Sequence, residues 1–180
     1  MTAPPAVRLE PLTQRHRDAV AEIVHDPAVR RFTRFPDPPY PGFPGEWIAR
    51  YETGRIDGSR EAFAAVDPAG RFLGTGLAPE IDETAHEMEL GYLVAPEARG
   101  RGVGSAILRL LTRWAFAERG ALRVQLLIDT ENVASQVVAR RAGYVLEGTL
   151  RWAHLKADVR SDCQIWSRLV TDPQPGAADA

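Results

Sequence analysis

Three glycines and two arginines fall within six residues, Arg99-Gly100-Arg101-Gly102-Val103-Gly104, just after a short apolar run and just before the most regular helical periodicity in the chain. Residues of these types at a helix start suit an anion. Glycine lets the backbone take positive φ and come close to a ligand, the first-turn N–H groups have no intrahelical acceptor, and the helix dipole adds roughly half a positive charge there. With the two guanidinium groups added, a diphosphate is the natural partner. A Walker A loop requires Gly-Lys-Ser/Thr, and no lysine stands here. A dinucleotide fingerprint requires G-x-G-x-x-G, but the glycines run at intervals of two through Gly104, with Ser105 next.

Elements on both sides must position this loop. His86 to Val94 (HEMELGYLV) alternates as a strand, with Met88, Leu90, Tyr92 and Val94 on one face and Glu89, Gly91 and Leu93 on the other. From Gly102 the period changes: Val103, Ile107, Leu110, Leu111 and Trp114 form one stripe of a helix to about Arg119, closed by Gly120. Arg123 to Asp129 reads as a strand, and Asn132 to Ala142 as a short helix ended by Gly143. Tyr144 to Leu150 and Asp162 to Val170 read as the last strands.

In the first half, Val7 to Leu12 predicts a strand and Arg15 to His25 a helix, with Thr13 as N-cap. The run Phe35 to Gly45 (FPDPPYPGFPG) predicts a loop, because proline removes a donor and fixes φ. A further helix starts near Pro44 and ends around Gly54. Glu61 to Asp67 and Arg71 to Leu77 flank Pro-Ala-Gly as a hairpin. The order predicts a mixed sheet with a parallel crossover through the long helix.

The loop and its surroundings resemble the GNAT acetyltransferase family, whose acyl-CoA pyrophosphate loop, Arg/Gln-x-x-Gly-x-Gly/Ala, is matched by Arg99, Gly102 and Gly104. The strand before it, the helix through Trp114-Ala115-Phe116, the RVQLLID strand, Asn132, Ser135 and Arg141 to Gly148 follow the family's order over about residues 86–170. Glu147-Gly148 and Leu150-Arg151 resemble the ribosomal-protein N-acetyltransferase branch. Over the first 85 residues the likeness is architectural only. The resemblance implies an α/β (α+β) fold: a mixed, mostly antiparallel sheet of six to seven strands with a splayed parallel pair, flanked by about four helices. It also implies one domain over residues 1–170 with a disordered tail at 171–180.

Acetyl-CoA is the implied cosubstrate, and an amine acceptor the implied partner. By analogy Arg99, Gly100, Arg101, Gly102, Val103, Gly104 and Ser105 hold the diphosphate, and the backbone of Leu93 and Val94, with Asn132, the pantetheine arm. Glu89 is the candidate base, with His86 and Glu87 as alternatives. The tyrosine that often serves as leaving-group acid in the family would stand at position 139, where this chain has Ala139. Ser135 is the remaining protic side chain on that helix, as acid or as a positioning group. Tyr144 reads as core. Tyr40 and Phe43, at the tip of the proline-rich loop, are expected to line the acceptor site. The cluster Arg30, Arg31 and Arg34 reads either as solvated charge or as recognition of an acidic acceptor. A noncatalytic acyl-CoA-binding or protein-interaction domain is the alternative function.

The composition agrees with a folded domain: 180 residues, 44% hydrophobic, with net charge −2. That near-neutral balance gives no general field for a nucleic acid or an anionic membrane. Cys163 is the single cysteine, so no intramolecular disulfide forms, and direct transfer needs no cysteine intermediate. The start MTAPPAVRLE has no apolar segment of secretory type, and a cytoplasmic protein without a membrane span is expected. No metal is implied. Dimers are common in the family, and a homodimer is the expectation if this chain assembles.

Overall fold

The computed structural model describes residues 6–156 and 158–175. Strand β1 (Arg8–Pro11) leads through a 3-10 turn into α1 (Arg17–His25), α2 (Pro27–Phe32) and α3 (Phe43–Asp57). Then come β2 (Glu61–Val66), β3 (Phe72–Asp82), β4 (Glu87–Val94), α4 (Val103–Ala117) and β5 (Arg123–Asp129). The chain finishes with α5 (Val133–Arg141), β6 (Val145–Lys156) and β7 (Val159–Leu169). The seven strands form one sheet in the order β1-β2-β3-β4-β5-β7-β6, antiparallel everywhere except between β4 and β5.

Periodicity decides which face each helix covers. Val103, Ile107, Leu108, Leu111 and Ala115 of α4 are buried, whereas Leu110 and Trp114, expected in the stripe, are only half-buried, so the buried face is rotated toward Leu108 and Ala115. Leu108, Leu111 and Ala115 cluster with Met88 and Leu90 of β4, Val124, Leu126 and Ile128 of β5 and Ala139 of α5, while Val103 and Ile107 belong to the other core. A second core gathers Val20, Ile23 and Val24 of α1, Trp47, Ile48 and Tyr51 of α3, and Ala62 and Ala64 of β2. Gly120, at φ 66°, supplies the left-handed residue after α4.

Five helices flank the sheet among the described residues, in line with the number expected, and α2 is a separate six-residue helix capped by the Asp26 side chain, which accepts from Val29 N–H at 2.9 Å. Three expectations need correction. The proline-rich loop ends three residues early: Phe43 begins α3 and is 4% exposed, packed edge-on against Phe35. It is core, not a loop-tip contact. β6 and β7 extend into a long hairpin across residues 151–161, where the mixed sequence RWAHLKADVRS hid the alternation. The expected tail packs as far as Pro175 at least, Arg168 donating to Pro173 C=O at 3.4 Å and to Gln174 Oε1 at 3.3 Å. Residues 176–180 lie outside the described ones.

Candidate active site

The sheet divides between β4 and β5. Their parallel pairing covers only Glu87 to Glu89 against Arg123 to Gln125. Beyond it β4 remains paired with β3 as far as Val94, and β5 with β7 as far as Asp129, so the two strands diverge as they approach the start of α4. Register fixes which backbone groups face the resulting gap. Ala95 N–H donates to Leu73 C=O at 2.9 Å, and at the other end His86 C=O accepts from Leu122 N–H at 2.8 Å. Alternation between these points turns the backbone of Gly91 and Leu93 toward β3 and that of Tyr92 and Val94 toward the gap. Of the expected pair Leu93 and Val94, only Val94 turns its backbone to the gap, because adjacent residues of a strand address opposite neighbours.

At the head of the gap the chain turns through Pro96–Ala98 and enters α4. Gly100 and Gly102 have φ of 70° and 80°, which an L side chain adopts only under strain. The first α4 bond runs from Ala106 N–H to Gly102 C=O at 3.0 Å, and the N-cap supplies no side-chain acceptor. Val103, Gly104 and Ser105 thus present N–H groups with no acceptor among the described residues. The two arginines differ. Arg99 is held by Asp26, with Nη2–Oδ1 2.9 Å and Nη1–Oδ2 3.3 Å, and its Nε donates to Val94 C=O at 3.3 Å. Arg101 has no hydrogen bond or ion pair among the described residues.

Asn132 caps α5, its Oδ1 accepting from Ser135 N–H at 3.2 Å. Across the gap, Tyr92 donates its hydroxyl to Ser135 Oγ at 3.1 Å, joining the diverging halves by side chains where backbone pairing has ceased. Burial pushes the Tyr92 phenol up, with the Ser135 contact working against it. Sequence reasoning missed this hydroxyl because alternation assigned Tyr92 to the apolar face without its polar tip. Ala139 is fully buried, and Tyr144 is bonded at 2.7 Å to Thr112 in the core, as expected of a structural tyrosine.

The opposite sheet face carries the titratable groups. Glu89 points away from α4, half-buried and with no hydrogen-bond partner among the described residues. Burial raises its pKa; the positive charge of Arg34 counteracts this and Glu80 adds to it. Asp129 pairs in register with Cys163, and its Oδ2 accepts from Ser161 Oγ at 2.5 Å. Since Ser161 is opposite His154, and Val159 opposite Lys156, alternation puts Asp129, Cys163, Ser161, His154 and Lys156 on the Glu89 face. Cys163 is buried, and burial followed by the Asp129 charge pushes its thiol up, the reverse of nucleophile activation. Helix α2 straps this end of the gap. Asp26 at its start holds Arg99, and Arg31 reaches Glu131 at 2.8 Å. Tyr40 is 45% exposed and donates to Glu46 at 2.5 Å. His86 is exposed, and Glu87 is engaged by Arg123 at 2.9 Å.

A sheet opened between two parallel strands over three free amides is the setting in which the family comparison is decisive. Residues 6–145 match the family described as Acetyltransferase (GNAT) domain. The chain belongs to the GNAT acetyltransferase family. Among GNAT relatives, the ribosomal-protein-serine acetyltransferase of Escherichia coli (strain K12) is 31% identical over 83 residues, 46% of each chain. That match spans just under half the length of the relative. The spermidine N(1)-acetyltransferase of the same strain is 25% identical over 145 residues, 81% of this chain and 76% of that protein. Among solved structures, RimL, a ribosomal-protein alpha-N-acetyltransferase in complex with coenzyme A, superposes with a TM-score of 0.84 over 94% of this chain and 97% of that one. At 18% identity this likeness establishes the fold alone. No helix among the described residues is long and apolar enough to cross a membrane, and none of their His, Cys, Asp and Glu side chains gather in a group of three or more that could hold a metal ion.

Proposed function

We propose that the protein is an acetyl-CoA-dependent N-acetyltransferase acting on a primary amine. The observation that carries this reading is the end of β4–β5 pairing at Glu89 and Gln125 above the free amides of Val103, Gly104 and Ser105. Acetyl-CoA supplies an acyl thioester, whose carbonyl carbon bonds to the amine nitrogen as the C–S bond breaks. The three amides, the left-handed turns at Gly100 and Gly102, and the free guanidinium of Arg101 receive the diphosphate. The Tyr92 and Val94 backbone groups facing the gap pair with the amides of the pantetheine arm, as an added strand would. Asn132 caps α5 at the rim of the same gap and is assigned a pantetheine contact through its amide. Arg99 acts as a strut that holds the loop to Asp26.

Two protons must move. Glu89 takes one from the acceptor ammonium, directly or through a water, and its burial-raised pKa suits a base. The second proton leaves the acylated nitrogen and ends on the departing CoA thiolate; Ser135, oriented by the hydrogen bond from the Tyr92 hydroxyl, faces that sulfur. Tyr40 is the remaining loop aromatic assigned to the acceptor wall. The protein works in this reading as one cytoplasmic domain that continues past residue 170 to Pro175, with a homodimer as its assembly, which light scattering tests.

The direct test is a melting experiment with acetyl-CoA. Saturation at about 100 times Kd stabilises by roughly 2.7 kcal/mol, and a rise in Tm is expected for the wild type but not for Gly102→Glu, which places a side chain and a negative charge in the loop. An unchanged melting curve at millimolar acetyl-CoA rejects the reading. Binding without thiol release for any amine favours a noncatalytic acyl-CoA-binding domain, which the missing tyrosine at Ala139 keeps in view.

A further inference from the structure

Gln125 stands beside the base with its amide nitrogen uncommitted. The parallel register sets Glu89 directly opposite Gln125, on the last rung before β4 and β5 part. The rung below shows which face these side chains share, since Glu87 and Arg123, paired in the same register, meet as an ion pair at 2.9 Å. Residues two apart on a strand point the same way, so Glu89 and Gln125 are neighbours on that face. Strands in a sheet run about 4.8 Å apart, which brings the carboxylate and the amide within reach of each other or of one shared water.

Neighbours fix which end of the amide faces the base. Arg123 gives its Nε to Glu87 and its two terminal nitrogens to Glu147, at 2.7 and 2.8 Å, and the same Nη2 reaches Gln125 Oε1 at 3.4 Å. A guanidinium only donates, so the oxygen of Gln125 turns to Arg123 and its Nε2 turns away. On the β7 side Gln125 is opposite Ser167, whose hydroxyl is already given to Glu147 Oε1 at 2.6 Å. Neither Gln125 Nε2 nor Glu89 has a hydrogen-bond partner among the described residues. Glu80, opposite Glu89 on β3, carries a like charge, and Arg34, Tyr51 of α3 and Cys163 of β7 meet it through charge alone, with no hydrogen bond to it. Gln125 is thus the donor that the register brings to the base.

We infer that Gln125 is a positioning residue for the base: its Nε2 donates to the Glu89 carboxylate, directly or through one water, and holds it toward the acceptor amine. The inference rests on the acetyl-transfer reading for the role of Glu89 and adds the group that orients it. A donated hydrogen bond favours the charged carboxylate, so it opposes the burial and the Glu80 charge that push the Glu89 pKa up. Arg123 acts one step further out. Spent on Glu87 and Glu147, it fixes the amide without lending Glu89 a full positive charge, and the carboxylate stays basic enough to take a proton.

The test follows the Glu89 carboxyl carbon by NMR through a pH titration of the whole chain, isotope-labelled at the glutamate carboxyls, the signal being assigned by its loss in Glu89→Gln. Gln125→Met keeps the length of the side chain and removes the donor. Its Glu89 midpoint should lie about one pH unit above that of the wild type, the scale of a hydrogen bond to a charged group. Gln125→Glu should move the midpoint further, because Arg123 keeps the new carboxylate charged beside Glu89. Melting curves with and without acetyl-CoA report that both variants fold and bind. Thiol release with phenylalaninamide and with spermidine is the second arm: the acid limb of kcat/KM should move with the midpoint, whereas a merely structural glutamine lowers kcat with the limb in place. A raised midpoint with neither amine acetylated upholds the hydrogen bond while the transfer reading fails. A midpoint unmoved or lowered in Gln125→Met, or no higher in Gln125→Glu than in Gln125→Met, overturns the inference, and overturns it alone when Glu89→Gln still abolishes the acid limb.

Discussion

Breaking the link between Asp26 and Arg99 separates a structural arginine from a ligand-binding one. Asp26 has two tasks: it caps α2 through Val29 N–H at 2.9 Å, and it holds the Arg99 guanidinium at 2.9 and 3.3 Å. Loss of an N-cap costs about 1 kcal/mol. The ion pair is partly solvated, with Arg99 37% and Asp26 14% exposed, and after screening contributes about 0.5 kcal/mol. Asp26→Ala should therefore lose about 1.5 kcal/mol, and at roughly 2–4 °C per kcal/mol for a chain of this size Tm should fall by about 3–6 °C. Asp26→Asn, which keeps an oxygen for Val29, should lose only the pair, about 0.5 kcal/mol. Arg99→Ala should match Asp26→Asn, and the double variant should add nothing to the pair term.

Partial burial raises the Asp26 pKa, but the hydrogen bonds from Arg99 and Val29 and the Arg99 charge outweigh it and hold the carboxyl low. A depressed carboxylate stabilises above its ordinary pKa and loses that contribution as pH falls through the lowered one. The difference between wild type and Asp26→Asn should accordingly be full at pH 7 and vanish in strong acid. Calorimetry supplies the second half of the test. Arg99→Ala should change acetyl-CoA affinity by less than about threefold, whereas Arg101→Ala should weaken it about tenfold, more at low salt than at high. If Arg99→Ala weakens acetyl-CoA as much as Arg101→Ala does and leaves Tm unchanged, the strut assignment is wrong.

Three further outcomes are expected. Glu89→Gln should lower kcat by about a hundredfold or more, the scale of a lost general base. Because burial raises the Glu89 pKa, the wild-type acid limb of kcat/KM should lie above the ordinary carboxylate range, with activity gained as the group deprotonates; Glu89→Gln should lack that limb. Tyr92→Phe and Ser135→Ala should both reduce kcat with little change in acetyl-CoA KM, and their effects should be non-additive in steady-state kinetics, as the 3.1 Å bond between them implies. Tyr144→Phe should cost about 1 kcal/mol, seen as a small fall in Tm with unchanged kcat, since Thr112 keeps its bond to Leu108 C=O.

The loop was legible because several local signals agree there: positive-φ glycines, a strand end, and a 3.6-residue stripe beginning at Val103. Asn132 was legible as a cap for the same reason. What was not legible depends on pairing between distant strands. Alternation separated Glu89 from Met88, but only the β3–β4 register tells that Tyr92 and Val94, and not Leu93, turn their backbone to the gap. Phe43 was misplaced because glycine and proline around it signal a loop, yet Pro44 is tolerated in the first turn of α3 and the ring goes to the core. Arg99 carried a charge of the right sign, and nothing local pairs it with Asp26, 73 residues earlier. The cluster Arg30, Arg31 and Arg34 stayed ambiguous because the partner of Arg31, Glu131, lies 100 residues further along the chain.

Acetyl transfer itself is measured by incubating the protein with acetyl-CoA and the amine panel, then following free thiol and acylated amine together by mass spectrometry. The account predicts one CoA thiol released per acetylated amine, with no acetyl group retained on the protein and with loss of both products in Gly102→Glu. Tight acetyl-CoA binding with no acetylated amine from any acceptor, or an acetyl group held on Cys163 during turnover, would contradict it.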